Sequence, residues 1–74
     1  MKNIYIVHFI SPRYFSSASK ALQAAWASAH ANRPFDSAGM ARYVKQGLKA
    51  ITLDGYIRPP GDSPFPLITT ASVE

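Results

Sequence analysis

The longest apolar run in the chain comes first. From Asn3 to Ile10 the residues are β-branched or aromatic almost without interruption, which predicts a strand. Alternation sends Ile4, Ile6, His8 and Ile10 to one face and Tyr5, Val7 and Phe9 to the other. Both faces are apolar, as expected of an interior strand covered on both sides. Ser11-Pro12 ends the run, because proline lacks the ladder N–H and restricts the residue before it.

The period then lengthens. Ser16 or Ser17 is placed to cap a helix running to about Ala31, and seven of the fourteen residues from Ala18 to Ala31 are alanine. Leu22, Ala25, Trp26 and Ala29 form one stripe. Alanine buries little area, so this helix suits close approach to a neighbour, with Trp26 as its one large anchor. Asn32-Arg33-Pro34-Phe35 reads as a turn, and Asp36 or Ser37 caps a second helix whose buried stripe is Met40, Val44 and Leu48.

Gly47 leaves two readings open. As a C′ residue it stops the helix, Lys49–Leu53 becomes a strand, and Asp54-Gly55 is the two-residue turn leading to Tyr56–Arg58. Otherwise the helix continues to Ala50 and bears about 1 kcal/mol for an internal glycine. The Asp-Gly turn signal favours the stop. Pro59-Pro60-Gly61-Asp62 is a further turn, with Pro60-Gly61 suited to the centre of type II. Phe65–Thr70 reads as a last strand, confined to an edge by Pro64 and Pro66, and residues 71–74 as a frayed tail. The expected fold is α+β: a single two-layer domain over residues 1–74, of order β-α-α-β-β(-β), with a small antiparallel or mixed sheet and two helices on one face.

Composition narrows the chemistry. Seventy-four residues without cysteine stand near the lower limit for a useful core, so good packing or a partner must stabilise the fold. The lack of cysteine fits a cytoplasmic protein. No apolar run reaches the ~18 residues of a membrane span, and no small-residue cleavage site follows the first run to make it a signal peptide. Only Asp36, Asp54, Asp62, Glu74, His8 and His30 offer conventional acid–base or ligand groups. No local spacing unites them. This argues against an enzyme, a metal site and a cofactor, although a sparse nuclease-type site using His, Arg and Tyr needs few residues. His8, sharing a face with isoleucines, reads as a hydrogen-bonded structural residue, and His30 as a helix-end residue favoured by the dipole.

Charge is uneven. Residues 1–53 hold a net charge of +6 and residues 54–74 a net of −2. A basic front portion favours an anionic partner, either nucleic acid or an acidic protein surface. Two surfaces follow. An aromatic and basic set of Tyr5, Phe9, Arg13, Tyr14, Arg42 and Lys45 suits contact with a protein or a large nucleoprotein complex, on the expectation that Tyr5, Val7 and Phe9, joined by Tyr56, form the sheet face the helices leave bare. Arg13-Tyr14-Phe15 is expected in a loop there. Alternatively Arg42, Lys45, Lys49 and Arg58 contact nucleic acid, since two helices followed by a hairpin are similar to a winged-helix arrangement. A homodimer is a third reading of the two-sided strand. The preferred expectation is a non-enzymatic binding protein of inhibitor or adaptor type. That class includes small accessory proteins of phages and mobile elements such as anti-defence inhibitors, an analogy from size and composition alone.

Overall fold

Two long strands, β1 (Lys2–His8) and β4 (Leu67–Val73), pair antiparallel along their whole length at the centre of the structure. The structure is a computed structural model that describes residues 2–34, 36–59 and 61–73, Val73 by its backbone alone. β2 (Arg13–Phe15) pairs with the free side of β1 and β3 (Tyr56–Ile57) with the free side of β4, giving an antiparallel sheet of order β2-β1-β4-β3. Between β2 and β3 the chain forms α1 (Ala18–Ala29) and α2 (Ser37–Asp54), packed against each other and against one sheet face. The α+β architecture with both helices on one face is therefore the expected one, with one unexpected strand, β2, at one sheet edge and the expected Tyr56 strand at the other.

Among the described residues six hydrophobic side chains make the buried core: Val7 and Ile68 from the two central strands, Ala21, Leu22 and Ala25 from α1, and Ile51 from α2. The alanines bring α1 close to its neighbours, and the apolar area comes chiefly from Leu22, Ile68 and Val7. α2 starts at Asp36, whose side chain accepts a hydrogen bond from the Gly39 N–H at 3.0 Å.

Several local expectations are corrected. α2 does not stop at Gly47; it runs through Lys49–Leu53, which is helix and not strand, to Asp54. Gly47 is buried, and a Cβ there would lie 3.0 Å from Leu22 Cδ1 and 3.2 Å from Ile57 Cδ1, and closer still to Leu22 Cδ2. The glycine is a notch that admits Leu22. The stop belongs to Gly55, which takes the left-handed conformation (φ 78°) and donates its N–H to the Ile51 carbonyl at 2.8 Å. Asp54-Gly55 thus ends a helix and makes no hairpin. With α2 continuous, Leu48 turns to solvent and the inward stripe is Met40, Tyr43, Val44, Gly47 and Ile51.

Arg13–Phe15, expected as loop, is the edge strand β2. The last strand begins at Leu67, beyond both prolines, so they cost it no ladder donor and it lies inside the sheet instead of at the edge. Ala71–Val73, expected to fray, pair with Lys2–Ile4. Phe35, Pro60 and Glu74 lie outside the described residues; Gly61 and Asp62 form a turn.

The Gly47 notch makes a measurable claim. Gly47→Ala improves helix propensity by about 1 kcal/mol, yet overpacking against the fully buried Leu22 outweighs this, for a net destabilisation of roughly 1–2 kcal/mol. Adding Leu22→Val makes room for the new methyl, so the double variant loses less than the sum of the singles. Denaturant titrations of the four proteins check both statements; additive losses would show that the notch is not what Gly47 supplies.

Candidate interaction surfaces

Strand register assigns every sheet residue to a face. Ile6 stands opposite Tyr14 on β2 and Thr69 on β4, and Thr69 stands opposite Tyr56 on β3. Tyr14, Ile6, Thr69 and Tyr56 therefore form one row across all four strands. The adjacent row is Arg13, Val7, Ile68 and Ile57, and its two central residues are fully buried beneath the helices. Successive residues point to opposite sides, so the Tyr14–Tyr56 row lies on the face without helices. Ile4, Leu67 and Ala71 extend it, half-buried, and Lys2 and His8 are exposed at its ends. His8 Nε2 lies 2.8 Å from Thr69 Oγ1, a cross-strand bond on this face. The two tyrosines stand out at the edges, Tyr14 67% and Tyr56 47% exposed.

The open face is thus the reverse of the one expected. Val7 is completely buried and Tyr5 and Phe9 pack against the core, while Tyr14 and Tyr56 lie on the other side of the sheet. β1 is interior within the sheet but covered on one side only. A clue was present in the sequence: Lys2 and His8 share alternation with Ile4 and Ile6, and two polar residues on one face mark the side that meets water. Ile6 and Thr69, at the middle of the row, were missed because register is invisible without the fold.

The six expected contact residues do not converge. Tyr5 and Phe9 face the helices. Arg13 begins β2 in the covered row, its guanidinium 5.5 Å over the Phe15 ring, beside a shallow groove of about 400 Å³ lined by Phe9, Arg13, Ala24, Ala27 and Ser28. Tyr14 is on the open face. Arg42 and Lys45 are exposed on α2, in the other layer. The second expected set fares differently: the unbroken α2 places Arg42, Lys45 and Lys49 on one exposed helix face. Arg58 does not join them on a hairpin wing, because β3 pairs with β4 inside the sheet layer.

Electrostatically the surface is one-sided. None of the four strands contains a carboxylate. Among the described residues no lysine or arginine side chain enters a hydrogen bond, whereas Asp36 serves as a helix cap. No three His, Asp or Glu residues gather around a point among the described residues.

A second aromatic group closes the helical layer. Trp26 stacks on His30 (3.9 Å between centroids) and Tyr43 on Phe65 (4.6 Å), and the two pairs meet at 5.6 to 5.9 Å. His30 caps α1, and its Nδ1 lies 3.2 Å from the Trp26 carbonyl, which can only accept, so Nδ1 is the donor in that bond. Both histidines therefore have structural partners, as expected, although His8 is exposed. Among the described residues the buried Tyr43 hydroxyl has no hydrogen-bond partner, and burial pushes its pKa up to about 12. These rings fill one another's space and extend the core.

Comparison with known proteins finds no family model, no curated protein and no solved structure that matches the chain.

Tyr43 gives the fold an alkaline limit. Its folded pKa lies above the ordinary value of 10.0, so the unfolded chain ionises first. Its contribution is complete below pH 10 and is lost as pH rises through about 12. Tyr43→Phe removes the unpaired hydroxyl; thermal melts are expected to show stability at pH 7 unchanged or raised by up to ~1 kcal/mol and a shallower loss above pH 10 than in the unmodified protein.

Proposed function

We propose that the protein acts by contact, as a non-enzymatic binding protein of inhibitor or adaptor type that occupies the surface of a larger macromolecule. The observation carrying this reading is the uncovered sheet face, where one row of Tyr14, Ile6, Thr69 and Tyr56 spans all four strands. Apolar faces rimmed by polar residues on small proteins serve as binding surfaces, and tyrosine supplies large contact area at low entropic cost. Lys2 and His8 make the rim polar at both ends of β1. Among the described residues no helix is long and apolar enough to cross a membrane. A cysteine-free composition suits the reducing cytoplasm, where we place the protein.

A second reading has its own observation. α2 continues past Gly47 and aligns Arg42, Lys45 and Lys49, the arrangement needed to lay a helix against duplex phosphates.

Parallel affinity capture from host lysate tests the first reading. The unmodified protein is expected to retain a macromolecule that a Tyr14→Glu/Tyr56→Glu variant, confirmed folded by circular dichroism, does not. Identical retention by both proteins would remove the open face from consideration. The second reading predicts duplex binding that weakens steeply with salt and falls in Arg42→Ala/Lys45→Ala; a flat salt response rejects it.

A further inference from the structure

From the chemistry of the open face we infer that its occupant is a single strand of nucleic acid, its bases laid on Tyr14 and Tyr56; the inference rests on the proposed use of this face for binding. Three observations point there. First, the two most exposed side chains of the row are flat rings, one on each edge strand, with Ile6 and Thr69 between them. With strands ~4.8 Å apart, three steps separate the tyrosines by about 14 Å, a span that a few unstacked nucleotides cover. A base stacks on a tyrosine whatever its sequence, because every base has a π face.

Second, each of these tyrosines has an arginine within two residues: Arg13 precedes Tyr14, and Arg58 follows Tyr56 and Ile57. Both arginines are exposed and make no hydrogen bond among the described residues. Arg13 belongs to the covered row at one sheet edge, its guanidinium over Phe15 on the helical side, so it is not among the cations of the open face. Arg58 stands just past β3 at the other edge, and Lys2 lies on the face itself at the start of β1. Two rings on the face, with Lys2 on it and Arg58 beside the Tyr56 edge, match a ligand that alternates bases with phosphates.

Third, the strands bear no carboxylate to repel such a ligand. A duplex is disfavoured on this face, because its bases are already stacked and out of reach of the tyrosines. A second copy is disfavoured as well. Four strands by seven residues cover at most roughly 450 Å², about half of what each partner contributes to a standard interface, and two copies would bring together faces of the same charge.

The experiment is fluorescence anisotropy with a labelled 12-nucleotide oligo-dT and oligo-U, and with a duplex of equal length, across a salt series. The single strands are expected to bind more tightly than the duplex. With the two cations Lys2 and Arg58 engaged, log K against log salt should fall with a slope of about −1.4. Tyr14→Ala and Tyr56→Ala should each weaken binding about tenfold, and Lys20→Ala, on the exposed side of α1, should change it less than twofold. Circular dichroism confirms that the variants remain folded, which their exposed positions favour. Duplex binding as tight as single-strand binding, or tyrosine variants that bind like the unmodified protein, would overturn the inference. Absent oligonucleotide binding would overturn it too, and sedimentation and lysate capture then separate the remaining cases. A dimer dispersed by Tyr14→Ala, or a protein lost with Tyr14→Glu/Tyr56→Glu, leaves the open face as a binding surface with another occupant. No loss of any partner in those variants removes the contact reading together with the single strand.

Discussion

The contact on which the arrangement turns is Leu22 seated against Gly47. Leu22 is among the largest fully buried side chains of the described residues, and the position facing it on α2 is the one residue type that leaves room for it. Ile57 of the edge strand closes the same notch from the sheet side. A core of six residues, three of them contributed by an alanine-rich helix, gains little from volume, so its stability depends on short distances between elements. A methyl group at residue 47 would separate both helices and the sheet at the point where all three meet.

With the layers drawn together at that point, the remaining large rings gather at one end. Trp26, His30, Tyr43 and Phe65 join the end of α1, the first half of α2 and the approach to β4. Phe65 lies two residues before the strand, so its stacking on Tyr43 draws the proline-rich segment to the helical side. The opposite face of the sheet receives none of these rings. Coverage of one side and exposure of the other therefore share a cause: the aromatic residues able to cover a sheet are spent between the helices.

Much of this was legible in the sequence. The first strand, the alanine-rich helix, the Asp36 cap and the α+β class all follow from local pattern, because apolar period and capping chemistry act over a few residues. What was not legible depended on neighbours distant in the chain. Gly47 and Gly55 are both plausible helix ends by local rules; only the presence of Leu22 shows that one is a notch and the other a terminus. Tyr14 was recognised as a contact candidate but placed with Tyr5 and Phe9, because a three-residue edge strand gives too short an alternation to assign faces. Arg42, Lys45 and Lys49 became a continuous row once the helix proved unbroken. Pro64 and Pro66 suggested an edge strand, and the strand escaped that constraint by beginning at Leu67, two residues later than expected.

The central strand pair has a consequence for how the molecule is made. His8 and Thr69 are 61 residues apart and Asn3 and Ser72 are 69 apart, yet they are cross-strand neighbours in the middle of the sheet. The two helices and the β1–β2 hairpin can form from near neighbours, while this pairing must close almost the whole chain into a loop before any of its ladder is made. On the ribosome, β1 therefore waits without its main partner until Leu67–Val73 emerges. Through that interval its isoleucines have only the short β2 beside them.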